Sequence, residues 1–223
     1  MEQTSNKGLL IGIVVAAALI FAGLVWAIVA APSGTGPVSS ENVSFSDSLS
    51  TPFVGLENSP VVVRMYSDFQ CPACKSAEPG VRAAIEKYKD RVKFIWKDFP
   101  LIGTHQNARG AANVARCSQD QGKFWEMHDL LYSKQEIWSP QPDPRASFEE
   151  YASQLKLDID AFKSCLDAKK NDDKIMADEA EGTKNGVNAT PTFYVNKTQY
   201  VGMPAEQWST VLDAALASAS SSK

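Results

Sequence analysis

Residues 60–74 have the sequence PVVVRMYSDFQCPAC, in which an apolar run is followed by a pair of cysteines. The run is β-branched and aromatic, which predicts a buried central strand. Cys71 and Cys74 come after a break of four residues, and the chain from there to about Lys89 favours helix. Pro72 occupies the first helical turn, where its missing N–H has no partner to lose. The stretch therefore predicts a strand, a cysteine pair and a helix in direct succession.

The placement of the cysteine pair indicates thiol chemistry. A helix N-terminus offers free N–H groups and the positive end of the helix dipole, so the pKa of Cys71 is expected below the usual value of about 8.5. Stabilising the reduced form makes the disulfide a stronger oxidant. We expect Cys71, at the exposed edge, to be attacked, and Cys74, one turn inside, to resolve the mixed disulfide. Half a zinc site is the alternative, but Cys117, Cys165 and two histidines are poor complements.

The remaining elements surround a long helical block. Residues 105 to about 186 contain no convincing strand and several amphipathic stretches broken by glycine and proline. This pattern predicts an all-helical insertion between a βαβ half and a ββα half. The predicted strands cover residues 61–66, 92–97, 192–196 and 199–201, and a closing helix covers residues 204–217.

The N-terminal region has the composition of a membrane anchor. Residues 9–31 are 23 consecutive residues without a charged side chain, and at about 1.5 Å per residue they can cross a hydrocarbon core about 30 Å thick. Lys7 precedes them, and the next Lys or Arg is Arg64. The positive-inside rule then predicts a cytoplasmic segment 1–8 and a single-pass protein of the cell membrane, with the rest extracytoplasmic. A cleaved signal peptide is the alternative.

Composition limits the rest of the organisation. Residues 32–52 are rich in Ser, Gly, Thr and Pro and predict a flexible linker, and the Ser-rich residues 217–223 predict a disordered tail. One domain remains, at residues 53–216, long enough to bury most of its apolar surface. The chain has 22 Lys and Arg against 26 Asp and Glu, a net charge of -4, with no basic run, which argues against nucleic acid as a partner.

Two motifs resemble those of a known family. The stretch 66–74, YSDFQCPAC, and the stretch 189–193, ATPTF, are together similar to DsbA-type disulfide oxidoreductases of the thioredoxin fold, especially membrane-tethered proteins of Gram-positive and actinobacterial type. The resemblance covers roughly residues 53–216. It implies a thioredoxin-like α/β fold with an inserted helical subdomain, here preceded by the predicted transmembrane helix. It also implies a cis Thr190-Pro191 bond beside Cys71, with the backbone at Thr190 available to a bound peptide. An ordinary trans proline is the alternative.

The chain departs from the enteric members of the family at two positions. Ala73 stands where they have a histidine, so the Pro72-Ala73 dipeptide between the cysteines has no side-chain donor. Met65 stands where they have a buried acid. Both departures argue against extreme oxidising strength.

Three charged residues and two histidines are further candidates for the site. Asp68, Lys97 and Asp98 are placed to assist proton transfer, with solvated or salt-bridged surface charges as the alternative. His105 and His128 have no companion cluster in the sequence. We interpret His105 as a loop or helix-cap residue and His128 as a partly buried helix residue.

The other two cysteines allow two interpretations. Cys117 and Cys165 lie on apolar helix faces, which suits buried free thiols. Many members of the resembled family join two helices of the insertion by a disulfide, so the resemblance implies a structural Cys117–Cys165 bond. In the entropy model, closing that loop stabilises the fold by roughly 4 kcal/mol.

The resemblance implies an activity and partners. The expected protein is an extracytoplasmic thiol:disulfide oxidase that passes the Cys71–Cys74 disulfide to unfolded or reduced secreted proteins, with no metal and no cofactor other than that disulfide. A membrane oxidase of the DsbB or vitamin K epoxide reductase-like type would reoxidise it. A reductase or isomerase on the same fold is one alternative. A non-enzymatic metal-carrying or chaperone module is the other.

Overall fold

The computed structural model describes the backbone of Val38–Ser39 and residues 42–48 and 51–221. The predicted cytoplasmic segment 1–8 and membrane segment 9–31 lie outside these residues. Within the described part of the chain, no helix is both long enough and apolar enough to cross a membrane.

The described residues form strands at both ends of a helical block. The strands are β1 (Val38–Ser39), β2 (Phe53–Gly55), β3 (Val62–Ser67), β4 (Lys93–Asp98), β5 (Thr192–Val195) and β6 (Thr198–Val201). The helices are α1 (Pro72–Tyr88), α2 (Ala108–Gln119), α3 (Phe124–Ser133), α4 (Gln135–Trp138), α5 (Arg145–Gln154), α6 (Ile159–Asp167), α7 (Asp172–Lys184) and α8 (Gln207–Ser221).

The strands make one mixed sheet in the order β1-β6-β5-β3-β4-β2. β3 and β4 are parallel, and every other neighbouring pair is antiparallel. The predicted βαβ and ββα halves therefore share a sheet, and α2 to α7 form the predicted insertion between them. β3 lies between β4 and β5, so the loop that leaves its C-terminal end, with the cysteine pair, emerges from the middle of the sheet.

The main core lies on the face of the sheet that α1 and α8 cover. Strand β3 contributes Met65 to it, α1 contributes Val81 and α8 contributes Trp208. The helical insertion adds Leu131 and Phe162, so the insertion and the sheet share this core. At about 25 cal/mol per Å² of apolar surface, such shared burial is the main force holding the insertion in place.

A smaller core lies on the opposite face of the sheet, beneath α7. Its buried members are Val43, Tyr66, Phe99, Val187 and Tyr194. Helix α7 approaches closely at Gly182, where a Cβ atom would lie 2.8 Å from the Phe99 ring and 2.9 Å from the Tyr66 ring. Only glycine permits that approach without moving one of the rings.

The prediction of a flexible linker at residues 32–52 is wrong for the segment around residues 43–45. Val43 is buried, the Phe45 ring lies 5.1 Å from the Tyr194 ring, and Asn185 donates a hydrogen bond to the Ser44 carbonyl. Strand β1 also pairs with β6. The serines gave this segment the composition of a linker, but its two alternating apolar side chains reach the smaller core.

The predicted disordered tail is also wrong for most of its length, because α8 continues to Ser221. Ser218 and Ser220 donate hydrogen bonds to carbonyls four residues earlier. Such bonds are compatible with a helix, so a Ser-rich composition did not end it here.

Candidate active site

The two cysteines of the pair sit at the start of α1. Cys71 is the N-cap residue, with extended backbone angles of -71° and 122°, and Pro72 takes the first helical position. Cys74 follows within the first turn, and both cysteines are free thiols. Cys71 is only 6% exposed and Cys74 3%. The expectation of an exposed Cys71 is therefore wrong, although it is the less buried of the two.

The second motif folds against the first. The Thr190-Pro191 peptide bond is cis, and the Cys71 Sγ atom lies 3.5 Å from the Thr190 carbonyl oxygen. The Thr190 hydroxyl is buried and, among the described residues, has no hydrogen-bond partner. Residues 119 positions apart in sequence thus meet at one sulfur atom.

The two sulfurs differ in their preference for charge. A hydrogen bond from the Cys74 thiol, aided by the backbone N–H groups of Cys74 and Ala73, lowers the pKa of Cys71 to about 5 against the opposing effect of burial. Burial, with Cys71 next to it, raises the pKa of Cys74 well above its usual value. At neutral pH Cys71 is therefore a thiolate and Cys74 a thiol. Ala73 contributes through its backbone N–H, although its side chain offers no donor.

Asp68 organises the loop that leads into the pair. It is 2% exposed, and its carboxylate accepts hydrogen bonds from the backbone N–H groups of Gln70 (2.7 Å) and Leu101 (2.9 Å) and from His105 Nδ1 (2.7 Å). Its carbonyl accepts a bond from the Cys71 N–H at 3.1 Å. Because these donors occupy the carboxylate, we interpret Asp68 as a positioning residue, and the loop residue His105 as its partner.

The helical insertion holds the same loop from the other side. The Gln135 side-chain amide donates to the carbonyls of Phe69 at 2.7 Å and Cys71 at 3.0 Å. Gln70 accepts a bond from the Asn107 N–H at 2.7 Å and donates to the Ser139 carbonyl at 2.9 Å. The insertion thus fixes the backbone that carries the Cys71 sulfur.

Lys97 and Asp98, the other proton-transfer candidates, are each 1% exposed, so the surface-charge interpretation is wrong for both. Lys97 pairs with Asp178 at 3.1 Å and Glu181 at 2.9 Å, and Asp98 pairs with Arg116 at 2.7 Å. In the part of the chain that the structure describes, neither forms a hydrogen bond or ion pair with the cysteine pair. These charges join β4 to α2 and α7 rather than to the site.

The structure brings two residues to Cys74 that the sequence analysis did not place there. Glu78, one turn after Cys74, and His128 of α3 line a cavity of about 10 Å³ together with Cys74, Met65 and Trp96. The spacing of four residues from Cys74 to Glu78 was a readable signal, because it puts both on one helix face. His128, interpreted as partly buried, is 2% exposed, and nothing local in the sequence brings it to this cavity.

Glu78 and His128 also belong to a cluster of possible metal ligands. Glu78, His128 and Asp129 have ligand atoms within 4.8 Å of one another, the one such group of three or more among the described residues. The Arg82 guanidinium lies 2.7 Å from the Asp129 carboxylate and would repel a cation there. The donor set therefore does not favour a metal ion.

Cys117 and Cys165 form a disulfide that joins α2 to α6. Their Cα atoms are 5.9 Å apart across a sequence separation of 48 residues. The buried side chain of Asn171 packs against the bond, with Nδ2 3.5 Å from the Cys165 sulfur. These residues are therefore bonded to each other rather than buried as free thiols.

The chain is similar to known proteins over the region that contains both motifs. The thioredoxin family profile matches residues 47–214. The chain belongs to the thioredoxin family. A relative named probable disulfide bond formation protein D, from Bacillus anthracis, is 30% identical over 203 residues, which cover 87% of this chain and 90% of the relative.

Solved structures agree with this family assignment. Oxidised BdbD from Bacillus subtilis has a TM-score of 0.67 at 25% identity and covers 78% of this chain and 97% of that one. The α-DsbA1 protein of Wolbachia pipientis has a TM-score of 0.68 at 20% identity, covers 80% of this chain and 95% of that one, and supports the fold alone. The predicted DsbA-like thioredoxin fold is confirmed.

A second group of relatives is much longer than this chain. The Na(+)/H(+) antiporter NhaA 3 of Salinispora tropica is 38% identical over 148 residues, which cover 66% of this chain but 22% of the antiporter. The chain spans 22–24% of the length of three such antiporters. The similarity therefore concerns a limited part of those proteins.

Proposed function

We propose that this protein is a thiol:disulfide oxidoreductase that acts outside the cytoplasm, as an oxidase that donates the Cys71–Cys74 disulfide to reduced proteins. The observation that carries the proposal is the unequal pair of sulfurs at the start of α1. Cys71 caps the helix beside Pro191 and holds negative charge, while Cys74 is buried as a thiol. The relatives named disulfide bond formation protein D and BdbD support the same activity.

The reaction consists of two exchanges. A substrate thiolate attacks the Cys71 sulfur of the oxidised pair, the bond to Cys74 breaks, and Cys74 leaves with the electron pair and takes up a proton. A second substrate thiolate then attacks the substrate sulfur of this mixed disulfide, and Cys71 leaves as a thiolate. The substrate loses two electrons and the cysteine pair gains them, so one exchange needs no other redox group, and repeated turnover needs an oxidant that restores the disulfide.

The low pKa of Cys71 favours the oxidase direction. A leaving group that is stable as a thiolate departs more easily, and a stabilised reduced form raises the oxidising power of the disulfide. A reductase or isomerase on the same fold would instead have a Cys71 pKa near 8 and a low reduction potential. The pKa of about 5 supports the first direction.

We assign substrate binding to the surface around Cys71. Thr190 and Pro191 border the sulfur, and the Thr190 backbone would pair with an extended peptide. Ile102 is 55% exposed and Ile137 57% exposed, each close in sequence to a residue that bonds to the cysteine loop. Trp138 of the insertion is fully buried, so we assign the apolar contact for unfolded chains to these two isoleucines.

The proposed location is the outer side of a cell membrane, with residues 9–31 as the anchor. The Cys117–Cys165 disulfide supports this location, since such bonds persist in oxidising compartments. A membrane-bound oxidase of the DsbB or vitamin K epoxide reductase-like type would regenerate the disulfide, because the protein is left as a dithiol after each turnover.

The direct test uses the full chain, purified in mild detergent with the cysteine pair oxidised. We expect it to restore activity to reduced, unfolded ribonuclease A and to equilibrate with glutathione as an oxidant. Cys71→Ser should abolish the reaction. Reduction of insulin without oxidation of ribonuclease would instead indicate a reductase, and chaperone activity that survives Cys71→Ser would indicate a non-enzymatic module.

A further inference from the structure

Cys74 must exchange a proton although it has almost no contact with solvent. It becomes a thiolate when the disulfide opens and must lose a proton again before it can close the bond to Cys71. It is 3% exposed and lines a small cavity together with Pro191. Met65 occupies the nearby strand position and cannot carry a proton. A route for this proton is needed only if Cys74 reacts, so the inference rests on the proposed function.

The small cavity beside Cys74 offers a first step. Its volume of about 10 Å³ is close to that needed to hold the centre of one water molecule, and its lining residues include Cys74, Glu78 and His128. Glu78 is largely buried, with 14% of its side chain exposed, and lies one turn along α1 from Cys74. A single water can therefore bridge the sulfur to the carboxylate.

His128 connects this cavity to the surface. Its Nε2 atom lies 3.8 Å from the Glu78 carboxylate, and its Nδ1 atom lies 3.1 Å from the Asp129 carboxylate. The imidazole is 3% exposed, whereas the Asp129 side chain is 41% exposed. One nitrogen thus faces the interior and the other faces a residue in contact with solvent.

Aromatic rings hold the imidazole in this orientation. Ring centroids lie within 4.9 to 6.3 Å of His128 for Phe69, Trp96, Phe124, Trp125 and Tyr132. These rings exclude bulk water from the imidazole. Glu78 and His128 also line a surface groove together with Arg82 and Asp129, so a proton that reaches Glu78 from Cys74 can pass to solvent there or through His128 to Asp129.

We propose that His128 and Glu78 form a proton relay between Cys74 and the solvent at Asp129. During disulfide donation, a proton enters through Asp129 and His128, passes by Glu78 and the cavity water, and protonates the Cys74 thiolate as the bond to Cys71 breaks. During reoxidation the proton leaves along the same route before Cys74 attacks. Neither residue touches the substrate. Both act on it only through Cys74.

The experiment follows oxidation of the reduced full chain by glutathione disulfide. In the first step Cys71 attacks glutathione disulfide and forms a mixed disulfide, and in the second Cys74 loses its proton and displaces the remaining glutathione. Acid quenching and protein mass measure the two rates separately. We expect His128→Gln and Glu78→Gln to slow the second step by about 100-fold, the lower end of a general acid–base contribution, and to leave the first step unchanged.

Two further variants separate proton transfer from packing. His128→Ala leaves a hole the size of imidazole, and added imidazole should restore the second step in proportion to its concentration. Glu86→Gln makes the same substitution on an exposed residue of α1 and should leave both steps at the wild-type rate. If His128→Gln fails to fold, Glu78→Gln still tests the relay, because the Glu78 side chain is partly exposed and its substitution disturbs the core less.

Two results would overturn the relay. One is a second step at the wild-type rate in both glutamine variants, and the other is an equal slowing of both steps without rescue by imidazole. A failure of the proposed function would look different, since the wild-type protein would then not oxidise reduced ribonuclease at all.

Discussion

The imidazole Nδ1 of His105 lies 2.7 Å from the carboxylate Oδ2 of Asp68, three residues before Cys71. The Asp68 side chain is completely buried and that of His105 is 19% exposed. A buried carboxylate that also accepts two backbone N–H bonds is costly to lose, because each donor would be left without a partner. This contact therefore ties the loop after β4 to the loop that carries the reactive sulfur.

Asp68→Asn should destabilise the protein by about 1–3 kcal/mol, because an amide can accept at only one of its two positions and leaves a buried donor unpaired. Urea unfolding of the full chain measures the change. Asp90→Asn is the matched control, since Asp90 is exposed at the end of α1, and a shift within about 0.5 kcal/mol is expected there. Equal effects of the two substitutions would contradict the positioning role of Asp68.

The pKa of Cys71 predicts how stability depends on pH in the reduced protein. Its folded value of about 5 lies below the unfolded value of about 8.5. The thiolate therefore adds stability that is fully present above about pH 8.5 and is lost as the pH falls towards 5. Between these limits the reduced form should gain about 1.4 kcal/mol per pH unit over the oxidised form.

Urea unfolding of both redox forms at several pH values checks this slope, and absorbance of the thiolate at 240 nm checks its midpoint. Cys74→Ala should raise the pKa of Cys71, because it removes the largest stabilising hydrogen bond. A stability difference that does not change with pH would refute the assignment of the charge to Cys71.

The double variant Cys117→Ala/Cys165→Ala should lose up to roughly 4 kcal/mol of stability, because the unfolded chain regains the entropy that closure of a 48-residue loop had removed. The titration of Cys71 should be retained, since the bond joins α2 to α6 and makes no contact with Cys71 in the described structure. Thermal unfolding and thiolate absorbance measure the two effects. Loss of the Cys71 titration in a folded double variant would show that this disulfide also shapes the site.

The double variant Ile102→Ser/Ile137→Ser tests the surface assigned to substrate proteins. Replacing two exposed apolar side chains removes contact area for unfolded chains, at about 25 cal/mol per Å². We expect KM for reduced ribonuclease to rise several-fold with kcat little changed. Reaction with glutathione disulfide should keep its wild-type rate, and an equal loss with both substrates would place the isoleucines in the chemistry instead. Leu56→Ser, another exposed apolar residue, is the control.

Elements with a strong local signal were predictable from the sequence. The apolar run before Cys71 predicted β3, and the pair with its proline predicted the start of α1. The short strands β1 and β2 were missed, because two or three residues carry no period and are defined by their partners β6 and β4. Residues 42–48 were missed for the same reason, since their contacts are with residues far away in sequence.

Some residues of the candidate site were likewise predictable from the sequence, and others were not. The spacing of Cys71 and Cys74 predicted their thiol chemistry, and Pro191 was identified through the resemblance of its motif to that of a known family. Lys97 was expected at the surface or near the sulfurs, but its burial beneath α7 depends on Asp178 and Glu181, some 80 residues later. Tertiary ion pairs of this kind leave no local pattern. Only the folded chain shows them.

Gln135 and Asn107 donate hydrogen bonds to the cysteine loop and the Ser139 carbonyl accepts one from it, so the helical insertion is not an independent accessory. A chimera that grafted the insertion of a distant relative onto this sheet would leave the loop carbonyls without their donors. The sulfur would then be carried on a looser backbone. Evolution of substrate preference in such a protein is therefore expected to proceed through exposed positions such as Ile102 and Ile137, which can vary while the scaffold beneath them is inherited intact.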